Sequence, residues 1–76
     1  MTEQAQDGGL VEVTLNGAGR QLRRGTTVDE LVLTLGRGPR GIAVAVNQEV
    51  VSRSRWAATP LQDGDRVEVL GAAQGG

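Results

Sequence analysis

Gly75 and Gly76 close the 76-residue sequence, and the group they present is an α-carboxylate. Two residues without side chains can thread a narrow channel and carry that carboxylate deep into a partner enzyme. A carboxylate is inert until activated. ATP activates it as a mixed anhydride with AMP, and a nucleophile that displaces AMP leaves the incoming group on the chain terminus. With 12 glycines in 76 residues, two terminal glycines arise by chance in about one sequence of forty. The pair therefore carries weight only in combination with a fold that would use it.

The other chemically coloured motifs have plainer explanations. Gly36-Arg37-Gly38-Pro39-Arg40-Gly41 matches G-x-G-x-x-G literally. That fingerprint needs a strand before it and a helix N-terminus after it, so that the helix dipole meets a pyrophosphate. Here a helical pattern precedes it and a strand pattern follows, and Pro39 removes an amide that would face the phosphate, so the segment reads as a loop. Asp63-Gly64-Asp65 resembles part of a calcium loop but lacks the later glutamate, and a turn before a strand accounts for it. Arg20, Arg23, Arg24, Arg37 and Arg40 are interleaved with glycines and turns and read as solvated charge. Trp56 is the single aromatic residue, read as a cover over an edge of the core.

Composition removes whole classes of function. The chain has no cysteine, histidine or lysine, 8 arginines against 9 acids, and a net charge of −1. No cysteine excludes disulfides, iron–sulfur clusters, zinc knuckles and a thiol nucleophile. No histidine removes the usual general base and commonest metal ligand. The charge balance and single aromatic argue against nucleic-acid binding. Ile42–Val46 is the longest apolar run, far short of the roughly 20 residues that span a bilayer. With no secretory pattern at the N-terminus, the expected compartment is the cytoplasm.

Positioning the terminal carboxylate falls to the elements between. Val11, Val13 and Leu15 alternate with Glu12 and Thr14, a strand with one buried face. Asn16-Gly17 predicts a hairpin, with Gly19 extending the turn and a return strand over 20–23 that points Leu22 inward. Thr27 and Glu30 have capping-box spacing, and Val28, Leu31, Val32 and Leu35 fall on one helical face, predicting a helix over 28–35 stopped by Gly36. Residues 42–46 and 49–51 read as strands around a turn at Asn47, 52–59 as irregular, and 66–70 as the last strand with Val67 and Val69 inward. The order of hairpin, helix, two strands and final strand is that of an α+β β-grasp domain: a mixed sheet of four to five strands with one helix on one face. Residues 1–9 are expected to form a mobile leader, 10–70 the β-grasp domain and 71–76 a flexible tail.

In that arrangement the sequence resembles the family of sulfur carrier proteins of thiamine biosynthesis, ubiquitin-like β-grasp proteins. The resemblance runs from about Val11 to Gly76. It rests on Gly25-Thr26-Thr27-Val28-Asp29-Glu30-Leu31, Val46-Asn47-Gln48-Glu49-Val50-Val51, Arg55-Trp56, Leu61-Gln62-Asp63-Gly64-Asp65 and Gly75-Gly76. It implies that Gly76 is the modified residue and that Gly75 gives it access. It further implies that an E1-like adenylyltransferase activates Gly76 with ATP and Mg, that a sulfur relay starting from cysteine converts the adenylate to a thiocarboxylate, and that thiazole synthase takes the sulfur. The chain is then a protein cosubstrate, with no cofactor of its own. A chain without cysteine has no persulfide form, which leaves the thiocarboxylate as the carrier.

The small subunit of molybdopterin synthase shares the fold and the terminal chemistry, although that family tends to place prolines near its end, and this chain has none after Pro60. A ubiquitin-type modifier would use the same carboxylate to form isopeptides. Alternation also predicts that Leu70 emerges on the sheet face away from the helix, near Ala43 and Ala45, as an apolar surface for partner enzymes.

Overall fold

A computed structural model of the chain describes residues 9–36 and 41–71. The expected leader, apart from Gly9, the core of the glycine-rich loop at 37–40 and the tail from residue 72 lie outside the described residues. The elements are β1 (Leu10–Leu15), β2 (Ala18–Arg23), α1 (Val28–Thr34), β3 (Ile42–Val46), β4 (Glu49–Val51) and β5 (Arg66–Gly71), with a 3-10 helical segment at Arg53–Ala58. The sheet order is β2-β1-β5-β3-β4. The β1–β5 pair is parallel and every other pair antiparallel, the expected β-grasp architecture with five strands.

The β1–β2 hairpin is tighter than the sequence predicts. Asn16 (φ 51°) and Gly17 (φ 87°) both take positive φ, the type I′ geometry whose twist matches the flanking strands. Two residues complete the reversal. Ala18 therefore already faces Leu15, and Gly19 lies in β2 opposite Thr14 rather than in an extended turn.

The helix forms where its local signals place it. The Glu30 N–H donates to Thr27 Oγ1 at 3.2 Å and the Thr27 N–H donates to Glu30 Oε1 at 3.1 Å, a reciprocal capping box. Val28, Leu31 and Val32 are buried, and half-buried Leu35 packs on the same core. Leu35 is the C-cap rather than the last helical residue, and Gly36 follows at φ 75°, a conformation glycine adopts without steric cost.

The core lies between α1 and one face of the sheet, filled from β1 by Val11, Val13 and Leu15 and from β3 and β5 by Val44, Val67 and Val69. Two further contributions come from the connection between β4 and β5. Residues Arg53–Ala58, expected to be irregular, wind into the 3-10 segment and pack against α1. Trp56 within it is 2% exposed, so it is a member of the core rather than a cover over its edge. Its indole N–H reaches the Val51 carbonyl at 2.9 Å, satisfying the one polar atom that burial of the ring would strand. Leu61 is equally buried. Its amide donates to the Thr26 carbonyl at 2.8 Å while the Val28 amide donates to Thr59, which ties this connection to the start of the helix.

Asp63-Gly64-Asp65 is a turn whose carboxylates serve the backbone. Asp63 Oδ1 accepts from the Glu12 N–H at 2.7 Å and Asp65 Oδ2 from the Gln62 N–H at 2.8 Å. Among the described residues no three acidic, histidine or cysteine side chains gather as metal ligands, and no helix is long and apolar enough to cross a membrane.

Candidate functional site

Everything that bears on the terminal glycines converges on β5, the strand that leads toward them. Val67 and Val69 are buried, while Arg66, Glu68 and Leu70 face away from the helix, as period-2 alternation requires. Leu70 is 65% exposed and stands opposite Ala43 of β3. Ala45 lies one step further along the same face of β3, opposite Glu68. The structure thus brings together the three residues predicted to form an apolar surface.

It also adds a fourth. Ala45 pairs on its other side with Val50 of β4, which is 78% exposed and belongs to the same face. Asn47 (φ 53°) and Gln48 (φ 73°) form a second turn with two positive φ values, and this two-residue reversal sets the register that puts Val50 beside Ala45. The periodicity of a three-residue strand is too short to assign its face; the turn length carried the missing signal. Large side chains exposed singly are ordinary, but Leu70 and Val50 flank two small residues on one surface, and that surface adjoins Gly71, the last described residue of β5.

The end of β5 is held from both sides. Toward β3, Val69, Leu70 and Gly71 face Val44, Ala43 and Ile42. Toward β1, the Asn16 carboxamide bonds to Val69: its Oδ1 accepts from the Val69 N–H at 2.9 Å and its Nδ2 donates to the Val69 carbonyl at 3.2 Å. Leu15, Asn16, Leu35, Val69 and Gly71 line an open cleft of about 280 Å³ at this end of the sheet. Gly75 and Gly76 lie outside the described residues. Residues 72–76 follow Gly71 to the carboxylate, a reach of at most about 18 Å at ~3.5 Å per residue.

A five-stranded mixed sheet in this order, with one helix across one face and a last strand followed in sequence by paired glycines, defines a ubiquitin-like β-grasp protein. The comparisons agree. A family model described as the ThiS family matches residues 13–76. The chain is 35% identical over 66 residues to the sulfur carrier protein ThiS of Escherichia coli, covering 87% of this chain and all of that protein. It is 41% identical over 64 residues to the sulfur carrier protein ThiS of Thermus thermophilus, covering 84% and 98% of the two. The crystal structure of the thiamine biosynthesis protein ThiS from Geobacter metallireducens superimposes with a TM-score of 0.73 at 32% identity, covering 87% of this chain and 100% of that one. The thiazole synthase of Magnetococcus marinus contains a segment 38% identical over 66 residues; the chain spans 20% of that protein's length.

The chain belongs to the ThiS family, small sulfur carriers of thiamine biosynthesis rather than catalysts.

Proposed function

We propose that this chain carries sulfur as a thiocarboxylate on Gly76 and delivers it for thiazole formation. The observation that carries the reading is the family match running through Gly76, on a fold whose last strand ends beside an exposed apolar surface. The Gly76 carboxylate attacks the α-phosphorus of ATP and releases pyrophosphate, giving an acyl adenylate. Sulfide-level sulfur, delivered by a relay that starts from cysteine, displaces AMP. ATP and Mg are bound by the E1-like activating enzyme, not by this chain. Leu70, Ala43, Ala45 and Val50 form the surface on which that enzyme docks, while Gly75 keeps the approach to the carboxylate narrow. Thiazole synthase receives the sulfur, a link supported by the similar segment within proteins of that name.

Two measurements test this. Intact mass of the protein isolated from its own cells should show a fraction in which one oxygen is replaced by sulfur. ATP–pyrophosphate exchange with the activating enzyme should proceed for the chain ending at Gly76 and fail for one extended by a single residue. The extension turns the reactive carboxylate into an amide and moves the new one up to ~3.5 Å onward, whereas in-line attack needs atoms within about 3–3.5 Å. Gly75→Val, which keeps the carboxylate but adds a branched side chain to the segment that must enter a narrow channel, should also fail. An extended chain that remains a good substrate would mean that the terminal carboxylate is not the functional group.

A further inference from the structure

Strand β1 ends at Leu15, while β5 runs on to Gly71. The parallel ladder between them stops at Leu15↔Val67, and beyond the Val67 carbonyl the partner of β5 on that side is a side chain. The Asn16 amide donates to the Val67 carbonyl at 2.9 Å, and the Asn16 carboxamide then meets both the N–H and the C=O of Val69. A primary carboxamide offers the same donor and acceptor pair as a peptide group. Asn16 therefore stands in for one more residue of β1.

The turn itself does not demand this. A type I′ turn accepts glycine or aspartate at that position as readily as asparagine. Glycine would lose both bonds to Val69 and aspartate would lose the donor. Asn47 occupies the equivalent place in the other type I′ turn and also bonds to β5, but at its opposite end: Oδ1 accepts from the Arg66 N–H at 3.0 Å, and the Asn47 amide donates to the Arg66 carbonyl at 2.8 Å. The molecule thus contains an internal control for a carboxamide that supports β5 without touching its exit.

We infer that Asn16 is a positioning residue for activation: by pairing with Val69 it fixes the position and direction of the end of β5, from which the chain continues to Gly76. This role rests on the carrier reading above. Without the carboxamide, the end of β5 is held by β3 alone, and each residue of β5 that frays adds up to ~3.5 Å to the length of chain between the last fixed residue and Gly76. The separation between the docked apolar surface and the reacting carboxylate is then no longer defined, although the surface residues are all still present. The loss falls on kcat rather than on KM.

The test is steady-state activation by the E1-like enzyme for wild type, Asn16→Gly, Asn16→Asp and Asn47→Gly, at a temperature where circular dichroism shows each folded. Asn16→Gly is expected to lose about tenfold in kcat with KM within about twofold. Asn16→Asp tolerates the same positive φ and keeps the acceptor for the Val69 N–H; it should fall between, and it carries the test if the glycine variant does not fold. Asn47→Gly should keep its kcat. Amide exchange at Val69 should accelerate in Asn16→Gly and not in Asn47→Gly. A kcat unchanged in Asn16→Gly, or lost equally in Asn47→Gly, overturns the positioning role alone. A wild-type chain that is not activated at all overturns the carrier reading and this role with it.

Discussion

Leu70 of β5 stands opposite Ala43 of β3 with its side chain on the sheet face that the helix leaves open. The pairing places a branched apolar side chain over a methyl group, at the end of the strand that leads to the terminal glycines. Leu70→Arg is expected to weaken association with the proposed activating enzyme by about tenfold or more, equivalent to about 1.4 kcal/mol. Folding stability should stay within about 0.5 kcal/mol of wild type, as for surface substitutions that break no buried contact. Titration calorimetry and a urea melt read the two effects separately. Unchanged affinity would remove this face from the interface.

Leu31 and Val44 face each other's layer from the helix and from the sheet, and both are buried. Val44 is paired on both sides, with Val51 and Val69, so the backbone around it has little freedom to collapse into a void. Leu31→Ala should cost about 2–5 kcal/mol, and Val44→Ala, which removes fewer atoms, about half as much. Small domains have a total stability near the low end of about 5–15 kcal/mol. Urea melts of Leu31→Ala should therefore begin to unfold in little or no denaturant.

Trp56→Phe keeps a ring in the core but leaves the Val51 carbonyl without its indole donor. That change should cost about 1–3 kcal/mol, whereas Trp56→Ala, which empties the site, should cost about 3–5 kcal/mol. Because Trp56 is the only tryptophan, the native protein's fluorescence emission should be blue-shifted and should move to the red in a single step coincident with loss of secondary structure.

Gln48 occupies a left-handed conformation, φ 73°, at the second position of the Asn47-Gln48 turn. A side chain there costs roughly 1–2 kcal/mol through crowding of its Cβ; glycine removes that strain but loses about 0.5–1 kcal/mol of chain entropy. Gln48→Gly is expected to stabilise the protein by about 0.5–1 kcal/mol, measured as a raised urea midpoint with an unchanged m-value. A lowered midpoint would mean that Gln48 makes a compensating contact.

The features legible in the sequence were those with local causes. Alternation over Val11, Val13 and Leu15, the Thr27–Glu30 cap and the Asn16-Gly17 turn each act within a few residues, and each element formed where its signal lay. Leu70 and Ala43 were legible for the same reason, since alternation alone assigns their face. Trp56 was not, because Arg53–Ala58 has no apolar period and its burial is decided by packing against α1. Leu61 sits alone between Pro60 and Gln62, with no apolar period to mark it, and is core because the connection packs beside the start of the helix, where its amide meets Thr26. The second task of Asn16 was hidden behind its first. A turn residue fully explains an asparagine before glycine, and nothing local marks a partner 53 positions away.

β5, the last strand in chain order, occupies the middle of the sheet, flanked by β1 and β3. A nascent chain halted before Arg66 therefore has two separated pieces of sheet and no element to join them, with Val67 and Val69, two of the six buried sheet residues, missing. Pairing residues so distant in sequence makes folding slow relative to helical proteins and defers it until β5 has been synthesised. Chains truncated before Arg66 are therefore expected to lack the folded core and to be cut by proteases that spare chains read through β5.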